Sequence, residues 1–176
     1  MKQIAVFLFL AIVFSSCKKE DTSLFTIPVT NLRFEVNPTY NEFNSPDIPI
    51  NNVNFNALAL LDAQGIDTSG INSIRPRLAR IYLPFGDNNL DFIKEIAVRI
   101  CLPGDNRPSC GQEVFWYDED FENKKGAEHQ LFGSNVDDIR EFVLTNNVNI
   151  QVQLTRLWRR PDATFDIFLD MEFDIR

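Results

Sequence analysis

Apolar and polar residues alternate over long stretches of this chain, most plainly near its C-terminus. Val148, Ile150, Val152 and Leu154 alternate with Asn149, Gln151, Gln153 and Thr155. Phe165, Ile167, Leu169, Met171, Phe173 and Ile175 alternate with residues that include Asp166, Asp170, Glu172 and Asp174. A period of two predicts strands with one dry and one wet face, and Arg159-Arg160-Pro161-Asp162 between them reads as a turn. Near the other end, Phe25, Ile27 and Val29 are followed by Leu32, Phe34 and Val36. The parity changes in between, so a bulge is expected near Thr30-Asn31. Ile74 to Leu83 is a further strand, in which Pro76 marks an edge or a bulge. Phe92 to Leu102 is an apolar run, and Val114 to Tyr117 a short aromatic strand. Its Trp116 and Tyr117 point to opposite faces, so only one of them belongs to the core.

Other segments follow different rules. Asn37 to Ile50, with its prolines and asparagines, reads as an extended connection. Within Asn54 to Gln64, the set Ala57, Leu58, Leu60 and Leu61 fits either a short helix or a buried strand, and strand is the expectation carried forward. Asp118 to Gln130 is charged and expected to be exposed, with His129 on a solvated loop. Ser134 to Leu144 is the expected helix: Ser134 or Asn135 caps it, Asp137 and Asp138 sit at its positive end, and Val136, Ile139, Phe142 and Val143 share a face. Together these elements predict an all-β fold, an antiparallel β-sandwich of immunoglobulin-like type with one short helix near 134–144.

The first residues have another character. Lys2 precedes an unbroken apolar stretch from Ile4 to Phe14. That is shorter than the roughly 20 residues a membrane span needs, and it suits a signal peptide. Phe14-Ser15-Ser16-Cys17 resembles the lipobox of bacterial lipoproteins, with Phe14 in place of the usual leucine. The resemblance implies cleavage before Cys17 and acylation of that cysteine, which anchors the chain stably in a membrane. Cys17-Lys18-Lys19-Glu20-Asp21 resembles the start of mature lipoproteins from Bacteroidetes-type bacteria, where such residues often accompany transport to the outer face of the outer membrane. Asn72-Ser73-Ile74 through Asn89-Leu90-Asp91-Phe92-Ile93-Lys94-Glu95-Ile96, with the C-terminal elements, resembles a group of small Bacteroidetes lipoproteins of unknown function. That resemblance implies a β-sandwich distantly like the late-embryogenesis-abundant β domains, and brings no catalytic residue. The expected organisation is a signal peptide over 1–16, a lipidated tether over 17–23 and a single β-sandwich domain over 24–176.

Charge and cysteine content narrow the function. The chain of 176 residues carries a formal charge of −8. Removing residues 1–16, which hold one lysine and no acid, leaves −8 − 1 = −9. Nucleic-acid phosphates require a basic patch, so that partner class is disfavoured. With Cys17 lipidated, Cys101 and Cys110 are left, and export makes a disulfide the default. They bracket a segment full of turn residues, which predicts a bridge across the ends of a hairpin, worth about 2–3 kcal/mol. Zinc needs three or four ligands, and only His129 could join the two cysteines.

No Gly-x-Ser-x-Gly elbow and no phosphate-binding glycine loop are present. Carboxylates are plentiful, and a hydrolase pair is defined by distance in space, so a carboxylate-dependent hydrolase stands as the rival from another class. Asp118, Asp120 and Glu122 form a weak calcium candidate, as do Asp87-Asn88-Asn89 with Asp91. Neither has the Asp-x-Asp-x-Asp-Gly loop, so solvated turns are the expectation and no cofactor is predicted. Trp158 beside Arg159, and Trp116, are the candidate ligand or partner surface, since aromatics and arginine dominate such contacts. The bland alternative has Trp158 closing the end of the sandwich. The expected protein is a non-enzymatic binding or scaffolding lipoprotein, held by outer-membrane lipid through Cys17, with envelope proteins or glycans as partners. A surface glycan-binding accessory is the alternative within that class.

Overall fold

The computed structural model describes residues 23–41, 43, 46–84, 89–105, 107–122, 126–145 and 147–176. Cys17, the signal-peptide segment and most of the tether lie outside them. Eight strands form the fold: β1 (Phe25–Val36), β2 (Asp47–Val53), β3 (Ile74–Tyr82), β4 (Ile93–Cys101), β5 (Gln112–Asp118), β6 (Glu128–Gly133), β7 (Val148–Leu157) and β8 (Phe165–Ile175). They make one antiparallel sheet in the order β1-β8-β3-β6-β5-β4-β7-β2. The sheet is pinched in the middle, where β5 and β6 share only the pairs Phe115↔Gly133 and Trp116↔Phe132. It folds there into two four-stranded layers, the antiparallel β-sandwich that the alternation predicts.

The alternating residues fill the space between the layers. Ile150, Val152 and Leu154 from one layer and Ile167, Leu169, Met171, Phe173 and Ile175 from the other are all fully buried. Rings cross the interior: Phe173 lies 5.5 Å from Phe115, and Phe165 lies 5.2 Å from Phe92. β7 and β8, consecutive along the chain, are not neighbours. β7 pairs with β4 and β2, and β8 with β1 and β3, so the segment between them crosses from one layer to the other.

The expected irregularities are present. The β1–β8 register shifts between Val29 and Leu32, and Asn31 takes a left-handed φ of 61°. Pro76 marks a shift in the β3–β8 ladder, and β6 pairs with β3 only from Leu78 onward. Proline has no N–H to give to a ladder, so the interior strand is relieved of pairing on that side.

Several expectations are corrected. Ala57–Ala63 is a helix, α1, not a strand, with Ala57 and Leu61 one turn apart facing the core while Leu58 is exposed. The expected helix over 134–144 shrinks to α3, Arg140–Val143, after a four-residue α2 at Glu119–Glu122. Neither Ser134 nor Asn135 caps α3, whose N-cap position is Ile139. Asp138 takes over: its carboxylate accepts the N–H of Ile74 at 3.1 Å and that of Arg140 at 3.1 Å. The connection expected over Asn37 to Ile50 ends early, because β2 begins at Asp47.

Every strand runs opposite to the one before it. The connections β2–β3, β4–β5 and β6–β7 therefore lie at one end of the sandwich, and β1–β2, β3–β4, β5–β6 and β7–β8 at the other. The chain comes in at the first end, where the Leu24 N–H donates to the Ile175 carbonyl at 2.7 Å.

Candidate functional site

Trp158 follows the last residue of β7, and its backbone N–H donates to the Phe92 carbonyl at 2.9 Å. This fixes it at the end of the sandwich opposite to Leu24. The side chain does not close the core, since it is 52% exposed. It is nonetheless held. The indole N–H donates to a Glu119 carboxylate oxygen, and the Lys94 ammonium lies 4.2 Å from the ring centroid.

Lys94 explains the rigidity. It sits where the β4–β7 register shifts between Ile93 and Glu95, and it is only 8% exposed. A lysine side chain covered to this degree needs a partner for its charge. The Asp120 carboxylate supplies it at 3.1 Å, and the electron-rich indole face adds a cation–π contact. Around the ring, Arg156 pairs with Glu95 at 2.8 Å and Arg159 with Asp162 at 3.9 Å. The β1–β2 connection touches the same region, because Arg160 Nε donates to the Pro38 carbonyl. That connection also carries Phe43, 91% exposed. The arrangement is an immobilised aromatic platform with charge pairs at its rim, suited to stacking and anchoring.

Trp116 is placed elsewhere. It lies on the outer face of β5, opposite Ala97 on β4, with its ring 5.2 Å from that of Phe132. Trp158 lies just beyond the Ile93↔Leu157 pair, opposite Phe92, so the two tryptophans are separated by about 16 Å along β4 at ordinary strand rise. Tyr117 is the core member of the aromatic strand, 1% exposed.

The expectation of a solvated His129 is corrected. It lies on β6, 2% exposed, its ring stacked 4.7 Å from that of Tyr117 and its Nε2 3.3 Å from the Leu90 carbonyl. It is an interior strand residue, because β6 continues the period of two through Leu131. The weak calcium candidates are used in structure. Asp118 accepts the Asp120 N–H at 2.9 Å, and Asp120 pairs with Lys94. The side chain of Glu122 and residues Asp87 and Asn88 lie outside the described residues. Asn89 accepts the N–H of Asp91 at 3.3 Å, and Asp91 that of Gly126 at 2.9 Å. Among the described residues no three His, Cys, Asp or Glu side chains are grouped to hold a metal ion.

The wet face of β8 carries the carboxylates most open to a catalytic reading, and arginines face them. Asp166 meets Arg33 at 2.7 Å, Asp170 meets Arg80 at 2.9 Å, and Glu172 meets Arg77 at 3.1 Å. Cys101 and Cys110 are joined by a disulfide, with their Cα atoms 5.5 Å apart. Lys94 and Glu119 are the site residues that sequence reasoning passed over, and Asp120 was singled out only as a calcium candidate. A lysine interrupting the apolar run Phe92 to Leu102 was the available signal.

No protein-family model matches the chain, and no curated protein sequence matches it. Among solved structures it is similar to one of Cocksfoot mottle virus, with 13% identity over 92% of this chain and 88% of that chain, at a TM-score of 0.29. A likeness at that level carries no argument about function.

Proposed function

We propose that this protein is a lipid-anchored component of the bacterial cell envelope, non-enzymatic, whose β-sandwich presents a partner-binding surface built around Trp158. The observation that carries the reading is a tryptophan 52% exposed and yet fixed at both its ring face and its N–H. A pre-ordered aromatic loses little freedom on binding, which is why such residues dominate contact energetics. The position of the surface supports the anchor. The seven residue-to-residue steps from Cys17 to Leu24 reach at most about 25 Å when extended, so acylation of Cys17 holds the Leu24 end near the bilayer. Trp158 is then at the end facing away from it.

The test places a photo-crosslinking amino acid at position 158, or at position 58 near the opposite end, in cells of the native host. Leu58 is itself 44% exposed, so it controls for exposure alone. A specific protein or glycan adduct from position 158, absent from position 58 and lost with Cys17→Ser, is the expected result. Adducts from both positions alike, or from neither, would overturn the reading.

A further inference from the structure

The Cys101–Cys110 hairpin does more than join β4 to β5. Gln151 belongs to the outward-facing set of β7, with Asn149 and Gln153, yet it is only 6% exposed. The hairpin lies over it: the Gln151 amide nitrogen is 3.4 Å from the Arg107 carbonyl, and its Oε1 is 3.7 Å from Cys110 Sγ. A disulfide sulfur carries no proton, so that contact supplies no donor, and Oε1 has none among the described residues.

Between this roof and the edge strand β2 runs a groove of about 570 Å³, a size typical of small-molecule sites. Its floor is Asn149 and Gln151 of β7 with Asp47, Pro49 and Asn51 of β2. Its far wall is the hairpin, through Pro103, Asp105 and Pro108. The Oδ1 of Asp47 is buried and accepts no hydrogen bond among the described residues. A buried carboxylate oxygen left unsatisfied is costly, and Asp47 lines the same groove as Gln151.

The roof is rigid. Arg107 grips Asp105 through two nitrogens, each at 2.8 Å. Arg99 ties down the hairpin base by donating to the carbonyls of Cys110 at 2.8 Å and Gly111 at 3.1 Å. We propose that this groove is a binding site for an uncharged saccharide, one or two rings long.

The chemistry selects that class in three ways. Asp47 and Gln151 line the groove with oxygens that take no donor among the described residues, and hydroxyls are the donors that match them. The exposed amide of Asn51 adds a further donor and acceptor, as a polyol needs. The faces of Pro49, Pro103 and Pro108 offer flat apolar surface for the C–H side of a pyranose ring. The carboxylates of Asp47 and Asp105 outnumber the single guanidinium of Arg107, which disfavours anions. The site stands apart from the Trp158 surface and does not rest on it.

The experiment follows the side-chain amides of Gln151 and Asn51 by ¹⁵N–¹H spectra of the full chain in a sugar-free detergent. The probes are N-acetylglucosamine, cellobiose and maltose at roughly 10 mM, a range that detects affinities of a few kcal/mol. Calcium chloride and sodium phosphate serve as contrasts. At least one sugar shifts both amides saturably. Asp47→Asn and the exposed Asn51→Ala each weaken that sugar by about tenfold, roughly 1.4 kcal/mol, while Trp158→Ala leaves it unchanged. Silence from all three sugars, shifts from calcium or phosphate instead, or sugar shifts indifferent to both groove variants would overturn the proposal. Loss of the 158 crosslink with sugar binding intact would strike the proposed function and leave this site standing.

Discussion

Replacing Gly111 by alanine places a methyl carbon 1.8 Å from the Ile100 carbonyl oxygen and 2.9 Å from the Cys101 Cα. Both obstacles are backbone of β4, so no rotamer change relieves the overlap. Gly111 also has a φ of +53°, a left-handed conformation that costs a side-chain-bearing residue about 1–2 kcal/mol. Moving the hairpin base away from β4 releases the two hydrogen bonds from Arg99 to the Cys110 and Gly111 carbonyls, worth about 1 kcal/mol each at a partly exposed site. The sum is about 3–4 kcal/mol. Gly104 is the internal control: its φ is +82° and nothing lies within 4 Å of an added Cβ. Gly104→Ala should therefore cost only the conformational part, about 1–2 kcal/mol. Urea unfolding without reductant, followed by circular dichroism, reads both variants. The gap between them corresponds to several degrees in Tm, at about 2–4 °C per kcal/mol for a chain of this size. Equal losses for the two glycines would refute the close approach of the hairpin to β4.

Removing the disulfide with a Cys101→Ala/Cys110→Ala pair should cost about 2–3 kcal/mol in the same urea assay, from the entropy of a short loop, and an unchanged midpoint would count against the bridge. Asp138 gives a pH signature. Burial raises its pKa, but the Ile74 N–H, the Arg140 guanidinium and the Arg140 N–H together outweigh that and leave it below the ordinary value. A folded-state pKa lowered in this way adds stability above the unfolded value of about 3.9, and that stability is lost as pH falls through the folded value. Asp138→Asn should thus be destabilised at pH 7 by about 1 kcal/mol, with the difference from the parent shrinking below about pH 4; a constant difference at all pH values would contradict this. Lys94→Met removes the ammonium at 4.2 Å from the Trp158 ring, so the tryptophan emission of a Trp116→Phe background should shift in wavelength or intensity, and an unchanged spectrum would mean that the contact is not made.

How much of this was legible depended on how local the cause was. The alternation of β7 and β8 follows directly from one dry and one wet face, and the buried sets Val148 to Leu154 and Phe165 to Ile175 fall where the pattern puts them. The bulge at Thr30-Asn31 was visible because a parity change has only a few remedies. Which strand lies beside which is not written in the period, so β7 and β8 looked like partners although they face each other across the core. α1 was missed because Ala57, Leu58, Leu60 and Leu61 satisfy both periods over so short a run. β2 was hidden by Pro49 and by Asn51-Asn52, where the ladder shifts between Ile50 and Val53. His129 was misplaced because Gly126, Glu128 and Gln130 dominate its neighbourhood. Reading His129 and Leu131 as one face would have put it inside. For the sites, the tryptophans and the disulfide were visible as residues, whereas the burial of Lys94 and Gln151 depends on which distant segments cover them.

The outer faces of the two layers differ in what they cover, and this difference says where binding should be looked for. On the outer face of β1-β8-β3, opposite charges meet strand to strand: Arg33 with Asp166, Arg80 with Asp170, Arg77 with Glu172. Each exposed pair contributes little on its own. Their joint effect is a face on which opposite charges neutralise one another, which suits contact with water. The other layer, β5-β4-β7-β2, has such pairs as well, Arg99 with Glu113 and Arg156 with Glu95, but it also covers polar groups. Its outer side carries Trp116 and the hairpin groove over Gln151, and its end carries Lys94 under Trp158. In both places a polar group has been taken out of water on the outside of a sheet, where leaving it solvated would have been simpler. Ordinary folding does not require that, since the dry interface between the layers already supplies the core. A side chain shielded on the outer face is held in one position, and a fixed position is what recognition needs. The β5-β4-β7-β2 layer is therefore the side on which ligands and partners of this protein should be sought.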